Sequence, residues 1–232
     1  MDIKNFEKLI IEEFDKLILQ IIKDYPELSI SAKARAGAEV SDFLEEKFVE
    51  YSGKNKFFKD SEKSPKGATK NPWDAKTIFC FKDVREIIWI DFKALKISGK
   101  DSNPDIGTPN KIVKFIKEGN FYLLYSYVFY EETEKGLKFV KIKDSYTESY
   151  FLKDINHTFR RNPKNQLQVN MSVLPEYRTR KEFIKLLMLK IKESHERQVK
   201  ISEKALKKIA ADEKILLENN KESEIKILRK LR

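Results

Sequence analysis

The chain has 232 residues, of which 47 are basic, 37 are acidic and 41% are hydrophobic. This composition excludes a disordered polyelectrolyte, and no apolar run reaches the roughly 18 residues that would span a bilayer. One cysteine and two histidines exclude a disulfide framework and any metal centre built from several cysteines or histidines. We therefore expect a cytoplasmic protein without a membrane partner.

The positive charge is unevenly distributed along the sequence. Residues 1–50 carry a net charge of −5, and the rest of the chain brings the total to +10. An acidic first segment followed by a basic remainder of the chain indicates a polyanionic partner such as nucleic acid. A generally lysine-rich proteome would give the same balance, so charge alone does not decide the partner.

Two amphipathic helices are predicted at the start of the chain. Residues 3–24 carry apolar side chains at helical spacing and stop before Pro26, which cannot continue a helix. Residues 31–51 repeat the pattern behind Ser31, a residue type that is typical of helix N-caps. Gly37 interrupts this second helix, and a glycine there indicates close packing or contact with a ligand.

The middle of the chain predicts a β-sheet. Residues 75–82 and 86–93 are rich in β-branched and aromatic residues, and the short link between them predicts a hairpin. The long apolar run at 121–132 predicts a central strand that is buried on both faces. The other predicted elements are a helix at 111–119, strands at 136–144 and 166–173, and a helical stretch from Thr179 to the end.

These elements predict an α/β fold with a central mixed β-sheet flanked by helices and a long C-terminal helical extension. We expect residues 1–200 to form one domain and residues 201–232 to form the extension. Three segments rich in lysine, arginine or turn residues predict loops with a binding role, namely 52–72, 98–110 and 156–166.

One group of residues in the predicted hairpin is a candidate catalytic site. Asp91 and Lys93 alternate onto the same face of the second strand, and Asp74 lies at the start of the first strand. Two converging carboxylates form a hard oxygen site that suits Mg²⁺, and the main-chain carbonyl of Phe92 can add a third oxygen. A metal-bound water beside a lysine can hydrolyse a phosphodiester without a covalent intermediate.

At these residues the chain resembles the PD-(D/E)xK nuclease superfamily. Pro72-Trp73-Asp74 matches the first element with one extra residue between proline and aspartate, and Asp91-Phe92-Lys93 matches the second. The resemblance implies a restriction-endonuclease-like core and a further acid on the preceding helix. Glu39 is the candidate for that acid, although it could also be a solvated helix residue like Glu45 and Glu46.

Within that superfamily, the chain resembles type II restriction endonucleases of the EcoRV- and HincII-like branch. The likeness rests on the strand at 166–169, on the TRKEF sequence at 179–183 and on the order of helix and hairpin. A likeness to the SwaI type, which cuts long A/T-only palindromes, is also seen.

This resemblance implies a prokaryotic, intracellular homodimer that cuts double-stranded DNA at a palindromic site and often leaves blunt ends. It also implies dependence on Mg²⁺, with Mn²⁺ as a substitute and Ca²⁺ supporting binding without cleavage. No small-molecule cofactor is expected.

Amide and basic side chains on loops are the groups that contact phosphates and read base edges. They concentrate in the three loop segments, above all in the sequence HTFRRNPKNQ at 157–166. The DNA-binding candidates are Lys70, Ser98, Lys100, Asn103, Asn110, Arg160, Arg161, Asn162, Lys164, Asn165 and Gln166.

Two other functions stay open at the level of sequence. The same metal site could serve a repair or junction nuclease, which acts on damaged or branched DNA. Alternatively, the chain could be a non-catalytic basic DNA-binding module with a helical dimerisation tail. That reading leaves Asp74, Asp91 and Lys93 without a role.

Overall fold

The structure is a computed structural model that describes residues 1–29, 36–65, 73–98, 104–142, 144–159, 165–170 and 173–231. The chain divides into two compact units, Met1–Lys185 and Leu186–Arg232. The division after residue 200 that the sequence suggests stays a prediction. Within the described residues, no helix is long and apolar enough to cross a membrane.

Ten strands and four α-helices make up the described chain. The strands are β1 (Glu27–Leu28), β2 (Phe58–Lys63), β3 (Ala75–Phe81), β4 (Val84–Lys96), β5 (Asp105–Gly107), β6 (Leu123–Thr133), β7 (Gly136–Phe139), β8 (Thr147–Phe151), β9 (His157–Phe159) and β10 (Leu167–Val169). The helices are α1 (Ile3–Asp24), α2 (Ala36–Ser52), α3 (Pro109–Lys117) and α4 (Arg180–Leu231), with a 3₁₀ turn at Leu152–Asp154.

A seven-stranded mixed sheet organises the first unit. Its strand order is β1-β7-β6-β4-β3-β2, with β8 also paired to β6, and β5-β10-β9 form a separate small sheet. The predicted hairpin is present as the antiparallel pair β3–β4. Strand β4 runs parallel to β6, and α3 lies in the crossover that a parallel connection requires. The predicted mixed sheet with flanking helices is therefore confirmed.

Strand β6 is buried from Leu123 to Tyr130, as the long apolar run predicts. The prediction of a loop over 52–72 was wrong in part, because β2 lies inside it and pairs with β3 at the sheet edge. Its solvent-facing polar and lysine side chains hide the alternation, which is a common property of edge strands. The loop predicted at 98–110 likewise contains β5 and the start of α3, and the segment 156–166 contains β9.

Several of the predicted residues lie outside the described part of the chain. They are residues 31–35 of the second predicted helix, Lys70, Pro72, Lys100, Asn103, Arg160, Arg161, Asn162 and Lys164.

Helices α1 and α2 supply aromatic side chains that hold the centre of β4. The ring of Phe92 lies 6.1 Å from that of Phe14 and 6.2 Å from that of Phe48, measured between centroids. All three side chains are buried. Because side chains alternate along a strand, anchoring Phe92 in this core turns Asp91 and Lys93 to the opposite face.

A buried ionic cluster joins α1 to the 3₁₀ turn. Lys153, which is 1% exposed, lies 2.8 Å from carboxylate oxygens of both Glu7 and Asp154. Its ammonium also donates a hydrogen bond to the main-chain carbonyl of Arg178 at 2.8 Å. Burial raises the pKa of Glu7, and the hydrogen bond and charge of Lys153 oppose this rise. The charges are tolerated at this depth because each has a partner.

We expect Lys153→Ala to destabilise the protein by about 3–5 kcal/mol, because it leaves the buried Glu7 carboxylate without its main partner. Urea denaturation followed by circular dichroism measures this loss. Lys16→Ala is the matched control, since it breaks an exposed pair with Glu13 at 2.7 Å and should cost less than about 1 kcal/mol. Equal losses in the two variants would contradict a stabilising role for the buried cluster.

Candidate active site

Asp74 is fixed at the mouth of the β3–β4 hairpin by main-chain hydrogen bonds. Its N–H donates to the carbonyl of Ile90 at 2.7 Å. Its carboxylate Oδ2 accepts a hydrogen bond from the N–H of Phe92 at 2.8 Å. The next residue, Ala75, pairs with Ile90 in the sheet. The hairpin register therefore places the Asp74 carboxylate beside the residue that follows Asp91.

Asp91 and Lys93 form an ion pair on one face of β4. The Lys93 Nζ lies 2.5 Å from the Asp91 Oδ1, and the two side chains are 26% and 6% exposed respectively. The structure thus brings together Asp74, Asp91 and Lys93, the three residues that the sequence singles out. Lys93 keeps an open side, since a cavity of about 360 Å³ adjoins it and also borders Gly37, Ser41 and Asp105.

The electrostatics of the cluster reflect a balance between burial and neighbouring charge. Burial raises the pKa of Asp91 to about 7, with Lys93 opposing the rise and Asp74 adding to it. Burial also raises the pKa of Asp74, against the lowering effects of Lys93 and of the Phe92 N–H. Burial acts to lower the pKa of Lys93, but the carboxylates of Asp91 and Asp74 outweigh it and the pKa is raised. Lys93 is therefore an ammonium at neutral pH.

One glutamate of α2, Glu45, lies near enough to Asp74 to feel its charge. Burial and, to a smaller extent, the charge of Asp74 together raise the pKa of Glu45 to about 7. One turn earlier on the helix, the Ser41 hydroxyl donates to the Phe92 carbonyl at 3.2 Å. Gly37 lies another turn earlier, where an added Cβ would be 3.6 Å from the Ala94 carbonyl oxygen. One face of α2 therefore approaches β4 along its length.

The structure does not bring Glu39 to this face. At 100° per residue, Glu39 lies roughly 160° around the helix from Ser41, and no described contact joins it to Asp74 or Asp91. The small residues beside Glu39 do indicate a close approach of α2 to β4. The residues that make this approach are Gly37 and, four residues further on, Ser41. The spacing Gly37, Ser41, Glu45 is the signal that could have pointed to Glu45 from the sequence. The role of Glu39 as the acid of the site stays a prediction.

The DNA-binding candidates that the structure describes lie in different environments. Ser98 and Asn110 are exposed, and Gln166 is partly exposed. Asn165 is 3% exposed and has a left-handed backbone with φ of 51°. A base-reading role for Asn165 would require this buried side chain to become exposed when DNA binds, and that role stays a prediction. An aspartate or asparagine is favoured at such positive φ.

The oxygen donors at the site fit a hard divalent cation. No group of three His, Cys, Asp or Glu side chains close enough to hold a metal is found within the described ranges. Mg²⁺, however, needs only one or two carboxylates and completes its shell with water and substrate phosphate. On the neighbouring strand, Tyr125 lies opposite Asp91 and its hydroxyl hydrogen-bonds with that carboxylate. The buried hydroxyl of Tyr127 lies opposite Lys93 without a described hydrogen-bond partner. Such an atom indicates a polar occupant.

The fold is that of a restriction endonuclease. In fold, the chain is similar to the solved structure of the NlaIV restriction endonuclease, with a TM-score of 0.50 and 16% sequence identity. The similarity covers 78% of this chain and 78% of that chain. A search of curated proteins found no match.

The model of one protein family matches most of the chain. It is the SwaI-like family, described as SwaI restriction endonuclease, and it matches residues 2–209. The chain belongs to this family and is a type II site-specific deoxyribonuclease that acts on double-stranded DNA. The family generally uses divalent metal ions. The resemblance to type II restriction endonucleases seen in the sequence is confirmed.

We expect Glu45→Gln to weaken metal binding, because it removes a helix carboxylate near Asp74. The charge of Asp74 contributes to the raised pKa of Glu45, which indicates that the two carboxylates are close. The shift in melting temperature on addition of Mg²⁺ measures the effect, and it should shrink relative to the unchanged protein. Glu39→Gln is the matched control on the same helix and should leave the shift unchanged. The opposite ranking would restore Glu39 as the acid of the site.

Metal binding should depend on pH with a midpoint near 7. Asp91 and Glu45 have pKa values of about 7, so each carboxyl holds a proton below that pH and releases it above. A cation binds the ionised form, so affinity should rise from pH 6 to pH 8 with release of protons. Calorimetric titration of Mg²⁺ in two buffers of different ionisation enthalpy measures the release. An affinity that stays constant across this range would contradict the prediction.

Proposed function

We propose that the protein is a Mg²⁺-dependent restriction endonuclease that hydrolyses one phosphodiester per strand in a palindromic DNA site, as a homodimer. The observation that carries this proposal is the cluster of buried Asp91 with partly buried Asp74 and Lys93 at one end of the β3–β4 hairpin. Two carboxylates held close together away from water are unfavourable unless a cation neutralises them. The cluster therefore supports a metal-dependent site better than a structural ion pair.

The cation would be held by Asp74, Asp91 and the main-chain carbonyl of Phe92. Glu45, which lies near Asp74, would add a further carboxylate. When bound, Mg²⁺ would polarise a phosphoryl oxygen and lower the pKa of a coordinated water. The N–H of Phe92 holds the Asp74 carboxylate in place through its 2.8 Å hydrogen bond. This backbone contact pre-organises the pair, because it fixes one carboxylate before substrate arrives.

Lys93 would act on the substrate as a cation. Its raised pKa keeps the ammonium protonated at neutral pH, so it stabilises the negative charge that develops on the scissile phosphate. The same ammonium can orient the attacking water by donating a hydrogen bond to it. The cavity beside Lys93 supplies the approach for a phosphate group.

A two-fold symmetric homodimer follows from a palindromic target, because each protomer then meets the same half-site. We propose blunt ends, with Mn²⁺ replacing Mg²⁺ and Ca²⁺ supporting binding without cleavage. The described candidates for DNA contact are exposed Ser98 and Asn110, partly exposed Gln166 and buried Asn165. The chain's net charge of +10 supports phosphate contact over a broad surface.

Cleavage of sequenced plasmid and genomic DNA in Mg²⁺ and in EDTA tests the proposal. We expect discrete Mg²⁺-dependent fragments from the unchanged protein and none from Asp91→Ala, which should still bind DNA. A smear or nicking of branched DNA would favour a repair nuclease instead.

Lys93→Ala should lower the cleavage rate by a factor of about 10²–10³, because one preorganised charge at the phosphate is lost. Lys96→Ala is the matched control on the same strand, where a half-buried lysine lies 2.7 Å from Glu132. It should cleave at nearly the normal rate. Equal rates for both variants, measured in single turnover, would remove Lys93 from the mechanism.

A further inference from the structure

The outer part of α4 carries an apolar face that nothing in the described chain covers. Residues 199–231 are helical and every one of them is exposed. Eleven large aliphatic side chains there are exposed, and at 100° per residue eight of them, which are 55–78% exposed, fall within roughly 120° of the helix circumference. We call this set the α4 stripe: Val199, Leu206, Ile209, Leu216, Leu217, Ile227, Leu228 and Leu231.

An uncovered stripe of this length is typical of an interface. Most helical stability in proteins comes from burying an apolar face, so a helix with all side chains in water lacks that support. Contiguous exposed apolar surface on a soluble protein commonly marks a binding site. The α4 stripe therefore calls for a partner with an elongated apolar surface of its own.

The charges along this part of α4 are arranged in three blocks, and two of them, Glu213 and Glu224, lie within the arc of the stripe. Residues 199–211 hold four lysines and one glutamate, a net charge of +3. Residues 212–224 hold five acids and two lysines, a net charge of −3. Residues 225–231 hold three basic residues and no acid, again +3. Like blocks repel and opposite blocks attract, so this pattern selects the partner and its direction.

We infer that the α4 stripe pairs antiparallel with the α4 stripe of a second copy of this chain. The inference rests on the homodimer of the proposed function and names the surface that joins its two chains. A parallel pair in register would set each block against its like. An antiparallel pair centred between residues 211 and 212 sets the +3 block of each chain against the −3 block of the other.

Duplex DNA is a poorer partner for this surface. The acidic block at 212–224 would face phosphates and be repelled, and the apolar stripe would stay in water. A second copy satisfies both features at once. The centre of symmetry places Leu206 level with Leu217 of the partner subunit.

Sedimentation velocity of the full chain over a range of concentrations tests the surface. The double variant Leu206→Lys with Leu217→Lys should lower the dimer fraction at least tenfold. The matched control is Ile201→Lys with Ile215→Lys, which adds the same charge at side chains that are 53% and 55% exposed on the opposite side of the helix. It should leave the dimer unchanged. Equal effects of the two pairs, or a monomeric unchanged protein, would overturn the inference.

Disulfide formation tests the direction in a Cys80→Ser background. Chains with Leu206→Cys mixed with chains with Leu217→Cys should form the mixed disulfide. Leu206→Cys alone should not, because an antiparallel pair separates the two copies of residue 206 by about 16 Å. Self-cross-linking of Leu206→Cys, or no mixed product, would overturn the antiparallel pair.

DNA cleavage by the same variants separates this inference from the proposed function. Stripe variants that stay dimeric and cleave normally would overturn the α4 interface and leave the proposed enzyme standing. Stripe variants that become monomeric and lose double-strand cleavage support both. An unchanged protein that dimerises through α4 without cleaving DNA supports the interface and contradicts the proposed enzyme.

Discussion

The pairing of β3 with β4 is the constraint on which the rest of the site depends. It sets the Asp74 carboxylate against the N–H of Phe92 at 2.8 Å and so fixes it beside Asp91. A one-residue slip in this pairing would turn Asp91 and Lys93 toward the aromatic core. The core opposes that slip, because Phe92 fits between Phe14 and Phe48 and a charged side chain would not. Packing on one face of β4 thus determines the chemistry on the other.

The site is held in an electrostatically unfavourable state that a bound cation would relieve. Burial raises the pKa of Asp91 and Asp74, and Lys93 only partly compensates. In the buried cluster of Glu7 and Lys153, by contrast, each charge meets its partner at 2.8 Å and the cluster joins two elements. The two clusters differ in what they can do, because only the first combines adjacent carboxylates with an open cavity. This difference separates a functional ionic site from a structural one.

The sequence predicted the site residues best where a short-range rule applied. Alternation along a strand is enough to place Asp91 and Lys93 on one face, and a short link is enough to predict the hairpin that brings in Asp74. Predicting the acid on helix α2 required more than such short-range rules, since Glu39 and Glu45 are both glutamates in one amphipathic helix. Which of them meets β4 depends on how α2 is rotated over the sheet, and helical periodicity does not specify a neighbour.

By itself, the sequence determined the order of the main elements, the carboxylate pair with its lysine, and the class of enzyme. The order of the elements and the carboxylate pair follow from local periodicity and from residue types at fixed spacing, and the class of enzyme follows from the family resemblance of those residues. Only the tertiary structure decided that Glu45 lies near Asp74, that the lysine-rich segment contains the edge strand β2, and that Asn165 is buried. Each of these depends on contacts between residues far apart in the chain, and such contacts leave no periodic signal in the segments that make them.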